Sequence, residues 1–154
     1  MPQFKLVALG GTFDIIHKGH VALLQKGFSI SSKVIIGLTS EELAAKKGKK
    51  LLHTYSQRLE ALQSMLRKNF PNSNYEISKL DNDFGPAILE GAVEALVVSE
   101  ETIEKGKILN DLRSKKHLAP VQVVSVPLVF AQDGKRISTT RIKNDEIDPD
   151  GNLR

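Results

Sequence analysis

Phe4-Lys5-Leu6-Val7-Ala8-Leu9 runs directly into Gly10-Gly11-Thr12-Phe13-Asp14-Ile15-Ile16-His17-Lys18-Gly19-His20. The first six residues are nearly all apolar, as a strand buried on both faces of a parallel sheet requires. Two glycines then let the backbone turn sharply and approach a ligand closely. Val21, Leu24 and Phe28 follow at helical spacing. A strand, a glycine turn and a helix in this order offer free backbone N–H groups and a positive helix end to an anion. Thr12 adds a hydroxyl, and Gly19 removes a side chain where phosphate has to pass. His17 and His20 are three positions apart and project to the same side of a helical turn. Isolated histidines read as exposed helix residues, but two of the four in the chain fall in this one turn, which favours a functional pair. Zinc is a second option for them. The spacing, however, is not His-Glu-x-x-His and no third ligand stands nearby, so no protein-held metal is expected.

Outward from this stretch, apolar strands alternate with helical segments. Lys33 to Thr39, Tyr75 to Leu80, Ala95 to Ser99 and Val121 to Val129 read as further strands, the last broken or edged by Pro127. Thr54 to Phe70 reads as a helix: Thr54 and Gln57 form a capping box, and Leu59, Leu62, Met65 and Leu66 make the apolar stripe. Ile103 to Lys115 reads as another helix, and a short one starts near Ser138. This alternation predicts an α/β fold, a single Rossmann-like doubly wound domain over 1–147 with a five-stranded parallel sheet and helices on both faces. Ligands then sit beyond the carboxyl ends of the strands. Residues 148–154 are expected to form a flexible tail.

The whole chain limits the function. Its 154 residues, 40% of them hydrophobic, suffice for one real core. No apolar run approaches the roughly 18 residues that span a bilayer, and no signal-peptide pattern precedes the first strand. The expectation is a cytoplasmic protein with no membrane partner. The absence of cysteine excludes disulfides and thiolate metal sites. A net charge of +4 and a pI near 9.3 suggest anionic partners. Only 5% of residues are aromatic, thin for a base-stacking surface, so a small phosphorylated ligand such as ATP is favoured over nucleic acid.

A second hydroxyl-rich stretch follows the last strand: Gly134-Lys135-Arg136-Ile137-Ser138-Thr139-Thr140-Arg141-Ile142-Lys143. Three consecutive hydroxyls at a helix start cap it, and the same groups bind phosphate. Lys46-Lys47-Gly48-Lys49-Lys50 lies beyond the second strand, on the predicted ligand side. Such a run is either a solvated loop or a source of positive charge for a transferring phosphoryl group. Tyr55 and Arg58, at the start of the next helix, read equally as surface residues or as contacts to an acceptor phosphate.

Together these segments resemble the nucleotidyltransferases with a histidine-x-glycine-histidine signature. His17-Lys18-Gly19-His20 fits that signature, Gly10 to Asp14 fits its lead-in, and Ile137 to Lys143 is similar to the closing isoleucine-serine-serine-threonine-x-isoleucine-arginine motif. Thr139 stands where that motif has serine, and Lys143 where it has arginine, keeping the charge without the bidentate fork. The resemblance implies that His20 contacts the α-phosphate of ATP and His17 the phosphates nearby. It implies that Thr12 positions the acceptor phosphate or the α-phosphate. Gly10, Gly11, Phe13 and Gly19 would complete the ATP-binding turn, and Ser138, Thr139, Thr140 and Lys143 would grip the β- and γ-phosphates, a role that Arg141 would share. It also implies a catalytic lysine, with Lys46 and Lys47 the first choices, and an acceptor site of Thr12, Asp14, Lys46, Tyr55 and Arg58.

The middle of the chain narrows the family. Val97-Val98-Ser99-Glu100-Glu101-Thr102, followed by Lys107, Asn110 and Arg113, is similar to the archaeal and eukaryotic type of phosphopantetheine adenylyltransferase. So is Asp81-Asn82-Asp83-Phe84-Gly85-Pro86, although Asn82 and Phe84 depart from that family's segment. The resemblance covers Phe4 to Lys143. It implies that Ser99, Glu100, Glu101 and Asn110 lie near the nucleotide. It implies adenylyl transfer from ATP to 4′-phosphopantetheine, with Mg²⁺ entering bound to ATP and the enzyme a monomer or small homo-oligomer. The alternatives are a cytidylyltransferase, a flavin- or nicotinamide-nucleotide adenylyltransferase, or a non-catalytic nucleotide-binding module. Gln132-Asp133-Gly134-Lys135-Arg136 departs from the arginine-threonine-glutamate-glycine lead of glycerol-phosphate cytidylyltransferases.

Overall fold

The structure is a computed structural model that describes residues 2–85 and 91–154. Pro86, the last residue of the quoted Asp81–Pro86 segment, lies outside the described residues. Five strands form one sheet: β1 (Phe4–Gly11), β2 (Ser31–Thr39), β3 (Tyr75–Leu80), β4 (Ala95–Ser99) and β5 (Gln122–Val126). Their order is β3-β2-β1-β4-β5, and every pairing is parallel. The chain works outward from β1 to β3, then returns to the other side of β1 for β4 and β5. The gap between the carboxyl ends of β1 and β4 is thus the topological switch point, where α/β folds bind ligands.

Alternate residues of the central strands point to opposite faces. Val7, Leu9, Val34 and Ile36 meet α1 (Lys18–Ile30) and α3 (Tyr55–Asn69) through Leu24, Leu62 and Leu66. Ala8, Ile35, Leu96 and Val98 meet α4 (Glu104–Lys115) through Leu109. This is the doubly wound arrangement expected. The capping box of α3 forms as read: Thr54 accepts from Gln57 N–H, and Gln57 reaches back to Thr54 N–H.

Three differences from the sequence reading have local causes. A short helix α2 (Glu41–Lys46) follows β2, started by Ser40 accepting from Leu43 N–H and by the acidic first turn of Glu41 and Glu42. The fifth strand stops at Val126, before Pro127, which has no N–H for the ladder. Residues 148–154, expected to be flexible, are hydrogen-bonded back onto the body. Pro149 O accepts from Lys18 N–H (3.1 Å), Gly151 O from Gln132 N–H (2.7 Å), and Ile147 bridges Leu153. No helix among the described residues is long and apolar enough to cross a membrane.

Helix α4 approaches β5 very closely at Gly106. A Cβ there would lie 2.3 Å from Val123 Cγ2 and 3.0 Å from its Cβ. Valine is stiff at χ1 and cannot swing away cheaply. Overpacking costs about 1–3 kcal/mol, of which the better helix propensity of alanine returns at most about 1 kcal/mol. Gly106→Ala is therefore expected to lower the urea midpoint, and Val123→Ala in the same chain to restore part of it. A Gly106→Ala chain as stable as the parent would rule out this close contact.

Candidate active site

A cleft of about 540 Å³ opens at the switch point, within the range usual for small-molecule sites. The end of β1 and the β1–α1 turn form one wall through Gly10 to Asp14, His17, Gly19 and His20; Gly10 and Gly11, expected to make the turn, are still paired with Gly37 and Leu38 in the sheet, and the chain turns after them. The C-terminal turn forms another through Arg136 to Thr140 and Lys143. Lys47, Lys49 and Lys50 come from the segment after α2, Asp83 and Phe84 from the turn after β3, and Ser99, Glu101, Thr102 and Lys105 from the rim after β4. Residues more than a hundred positions apart thus face one space.

The two imidazoles are built into the start of α1. His17 is the N-cap: its Nδ1 accepts from Gly19 N–H (3.0 Å), and His20 Nδ1 accepts from His17 N–H (3.2 Å). The rings stack with centroids 4.0 Å apart, and Phe13 lies against His20 at 4.8 Å. Because each Nδ1 accepts a proton donor, each ring carries its own proton on Nε2, which remains a donor. Burial, with Arg136 nearby, lowers His17 to about 4. Burial, with His17 nearby, lowers His20 to about 3. Both are therefore neutral at pH 7. Gly19 has a reason beyond leaving a path for phosphate, since a Cβ there would sit 2.8 Å from the His17 ring and displace it. Phe13 takes a left-handed φ of +50° although it is aromatic and buried. Such strain in a bulky residue is characteristic of functional sites.

Asp14 is buried, and its carboxylate is fully engaged inside the protein. It accepts from Leu52 N–H (3.0 Å) and His53 N–H (3.1 Å), and pairs with Lys143 Nζ at 2.8 Å. Burial pushes its pKa up, but the Leu52 N–H, the Lys143 ammonium and the His53 N–H together hold it below the ordinary value. Lys143 also donates to Lys50 O (2.9 Å). Arg58, only 1% exposed, sits behind the cleft and donates to Thr12 O (3.0 Å), Thr39 O (2.7 Å) and His53 O (3.3 Å). On the open side, Lys49 Nζ donates to Thr12 Oγ1 (3.2 Å), and Lys47 pairs with Asp83. Glu101 pairs with Arg136 at 2.8 Å. Ser138 caps α5 (Thr139–Lys143) by accepting from Arg141 N–H (3.2 Å).

Several expected residues stand apart from the cleft. Lys46 is exposed at the end of α2. Tyr55 lies under Lys79, its N–H bonded to Glu41. Arg58 braces the turn through backbone carbonyls instead of facing an acceptor. Glu100 is exposed. Asn110 is spent as a staple, exchanging two hydrogen bonds with Val121 N–H and C=O. Arg141 is held by Asp133, Glu146 and Arg136 O, away from Lys143. Conversely, Lys49, a member of the basic run but not one of its first choices, lines the cleft, as does Lys105, which had not been singled out. The available signal for Lys105 was its place just beyond the Val97–Thr102 segment, at the start of the following helix.

A family model described as Cytidylyltransferase-like matches residues 8–145. The phosphopantetheine adenylyltransferase of Methanothermobacter thermautotrophicus is 38% identical over 151 residues, covering 98% of this chain and 90% of that protein. That of Pyrococcus horikoshii is 40% identical over 155 residues, covering 99% and 96%. Among solved structures, a protein with unknown function from Archaeoglobus fulgidus aligns with a TM-score of 0.71 at 28% identity, over 80% of this chain and 89% of that one. A lipopolysaccharide core biosynthesis protein from Thermoplasma volcanium shares the fold at a TM-score of 0.63 and 16% identity, over 79% and 95%. Agreement of this length and identity puts the chain in the cytidylyltransferase-like family, on the branch of the phosphopantetheine adenylyltransferases.

Proposed function

We propose that this cleft transfers the adenylyl group of ATP to the phosphate of 4′-phosphopantetheine, yielding dephospho-coenzyme A and pyrophosphate. The observation that carries this reading is the convergence of the β1–α1 imidazoles and the C-terminal hydroxyl turn on one cationic cleft. The relatives named for that activity supply its acceptor. An oxygen of the acceptor phosphate attacks the α-phosphorus, and the bond from that phosphorus to the bridging oxygen of the pyrophosphate breaks. The nucleophile is already anionic at neutral pH, so no general base or covalent intermediate is required. Positioning and charge stabilisation do the rest.

In this reading the Nε2–H groups of His17 and His20 donate to the α- and β-phosphates as charge moves towards the leaving group. Ser138, Thr139, Thr140 and Arg136 hold the pyrophosphate end. Thr12 and Lys49 stand at the point of attack. Lys49 replaces Lys46 and Lys47 as the preferred lysine, because its ammonium already contacts Thr12 Oγ1. Asp14 and Arg58 act as positioning residues. Mg²⁺ would enter as the counterion of the triphosphate. The described residues contain no group of three or more metal-ligating side chains, and Asp14, Asp83 and Glu101 are each paired with a cation. Among the described residues the carboxylates of the cleft are thus already committed to cations, and no step is assigned to a metal ion.

Removing one transition-state donor costs about 10²- to 10³-fold in turnover. His20→Ala should lower kcat of pyrophosphate release by that factor, and the parent should prefer ATP over CTP with 4′-phosphopantetheine as acceptor. Unchanged turnover in His20→Ala would sink the mechanism, and preference for CTP would sink the adenylyl reading. The imidazoles provide a separate check. In NMR titrations, assigned with His17→Gln and His20→Gln chains, neither ring should show a midpoint above pH 5. Their folded pKa values lie below the unfolded value near 6.5, so their share of stability is complete above that pH. It is lost as pH falls towards 4 and then 3. Midpoints near 6.5 for both would mean that the rings are solvated and ordinary.

A further inference from the structure

Lys105 lies in the first turn of α4 and lines the cleft with Lys47, Lys49 and Asp83. The first turn of a helix is an unfavourable place for a cation, because the helix dipole is positive there. The cluster is also unbalanced, with three ammonium groups facing one carboxylate. Asp83 is committed to Lys47, and Lys49 to Thr12. Among the described residues, no hydrogen bond or ion pair holds Lys105. Lys105 is exposed on the cleft rim, yet the surrounding protein atoms and the nearby Lys47 and Lys49 lower its pKa, and Asp83 only partly opposes this. Lys49 is lowered for the same reasons. Gly106 then pins this turn of α4 hard against Val123, so the backbone carrying Lys105 has little freedom to retreat. A concentration of like charge on a rigid support is costly unless an anion completes it.

The reaction brings two anions together. In-line displacement places the attacking phosphate and the departing pyrophosphate on opposite sides of the α-phosphorus. The cleft has two sets of anion-binding donors, of which the second contacts Thr12 directly. One contains His17, His20, Arg136 and the hydroxyls of the C-terminal turn. The other is the lysine cluster, reached from Thr12 through Lys49. We propose that Lys105 selects the acceptor: its ammonium contacts the acceptor's phosphate and so distinguishes a phosphorylated acceptor from its neutral alcohol. This inference rests on the adenylyltransferase reading above. Ser99 and Glu101 precede Lys105 on the same rim, so the nucleotide is the competing occupant.

The test uses the full chain with Lys105→Met and Lys105→Arg. Pyrophosphate release is followed while ATP and 4′-phosphopantetheine are varied in turn, and calorimetry gives the affinity for each alone. A hydrogen bond to a charged group contributes about 1.5–3 kcal/mol, roughly tenfold or more in affinity. Lys105→Met should therefore raise the KM and Kd for 4′-phosphopantetheine at least about tenfold, with those for ATP within about twofold, a split that a purely structural role would not produce. Lys105→Arg should recover most of the loss. A rise for ATP with the acceptor unchanged would assign the cation to the nucleotide and overturn the proposal, as would no change in either. A parent enzyme that releases no pyrophosphate from ATP and 4′-phosphopantetheine would instead defeat the functional reading itself. A parent that turns over, beside a Lys105→Met chain with unchanged acceptor constants, would defeat only the role of Lys105.

Discussion

The carboxylate of Asp14 is the junction through which the cleft is assembled. One buried side chain receives the Leu52 and His53 N–H groups and the Lys143 ammonium. These come from the glycine turn after β1, the loop before α3 and the helix near the end of the chain. A buried carboxylate is tolerated only when its charge is answered. Asp14 therefore ties the start of the β1–α1 turn to the other two segments, alongside the Arg58 and Lys143–Lys50 contacts. Arg58 performs the complementary task from behind, tying Thr12 O to Thr39 O across the ends of β1 and β2. Between them they hold the turn that carries Thr12 in place, Lys143 being engaged in the junction and not free in the cleft.

The histidine pair shows a second economy. The Nδ1 atoms satisfy N–H groups that every helix start leaves unpaired, and this same use fixes the tautomer that leaves Nε2–H outward. Local folding and chemistry then share one set of atoms. The strained φ of Phe13 belongs to this arrangement, since its ring sits against His20. Enclosure keeps both imidazoles neutral. In the proposed reaction they would serve as dipolar donors beside Arg136 and the lysines, not as additional charges that would repel them.

Much of this was legible in the sequence, for physical reasons that can be named. Strands buried on both faces write themselves as continuous apolar runs, as at Phe4 to Leu9. The cap of α3 is a local interaction between Thr54 and Gln57, so it survives any change in the surroundings. The two cleft-lining segments at either end of the chain were legible because their histidines, glycines and hydroxyls stand at fixed local spacing. What was not legible depends on tertiary geometry. Arg58 looks like any helix arginine until its guanidinium is seen behind Thr12. Asn110 looks like a polar helix residue until Val121 arrives to occupy it. Among Lys46, Lys47 and Lys49, only the path of the loop decides which ammonium reaches Thr12. Six residues of α2 carry too little periodicity to be noticed, although Ser40, Glu41 and Glu42 are the right start signal.

The contact between Pro149 and Lys18 has a temporal consequence. The first free N–H of α1 is met by a carbonyl from nearly the last residues of the chain. A ribosome delivers β1, α1 and β2 long before it delivers that carbonyl. The early half of the sheet can collapse around its own apolar strands while the nascent polypeptide is still growing, but Pro149 and Lys143 are still unmade. The start of α1 is thus completed last, although it is encoded first. An incomplete chain would present the scaffold of the cleft without its final closure.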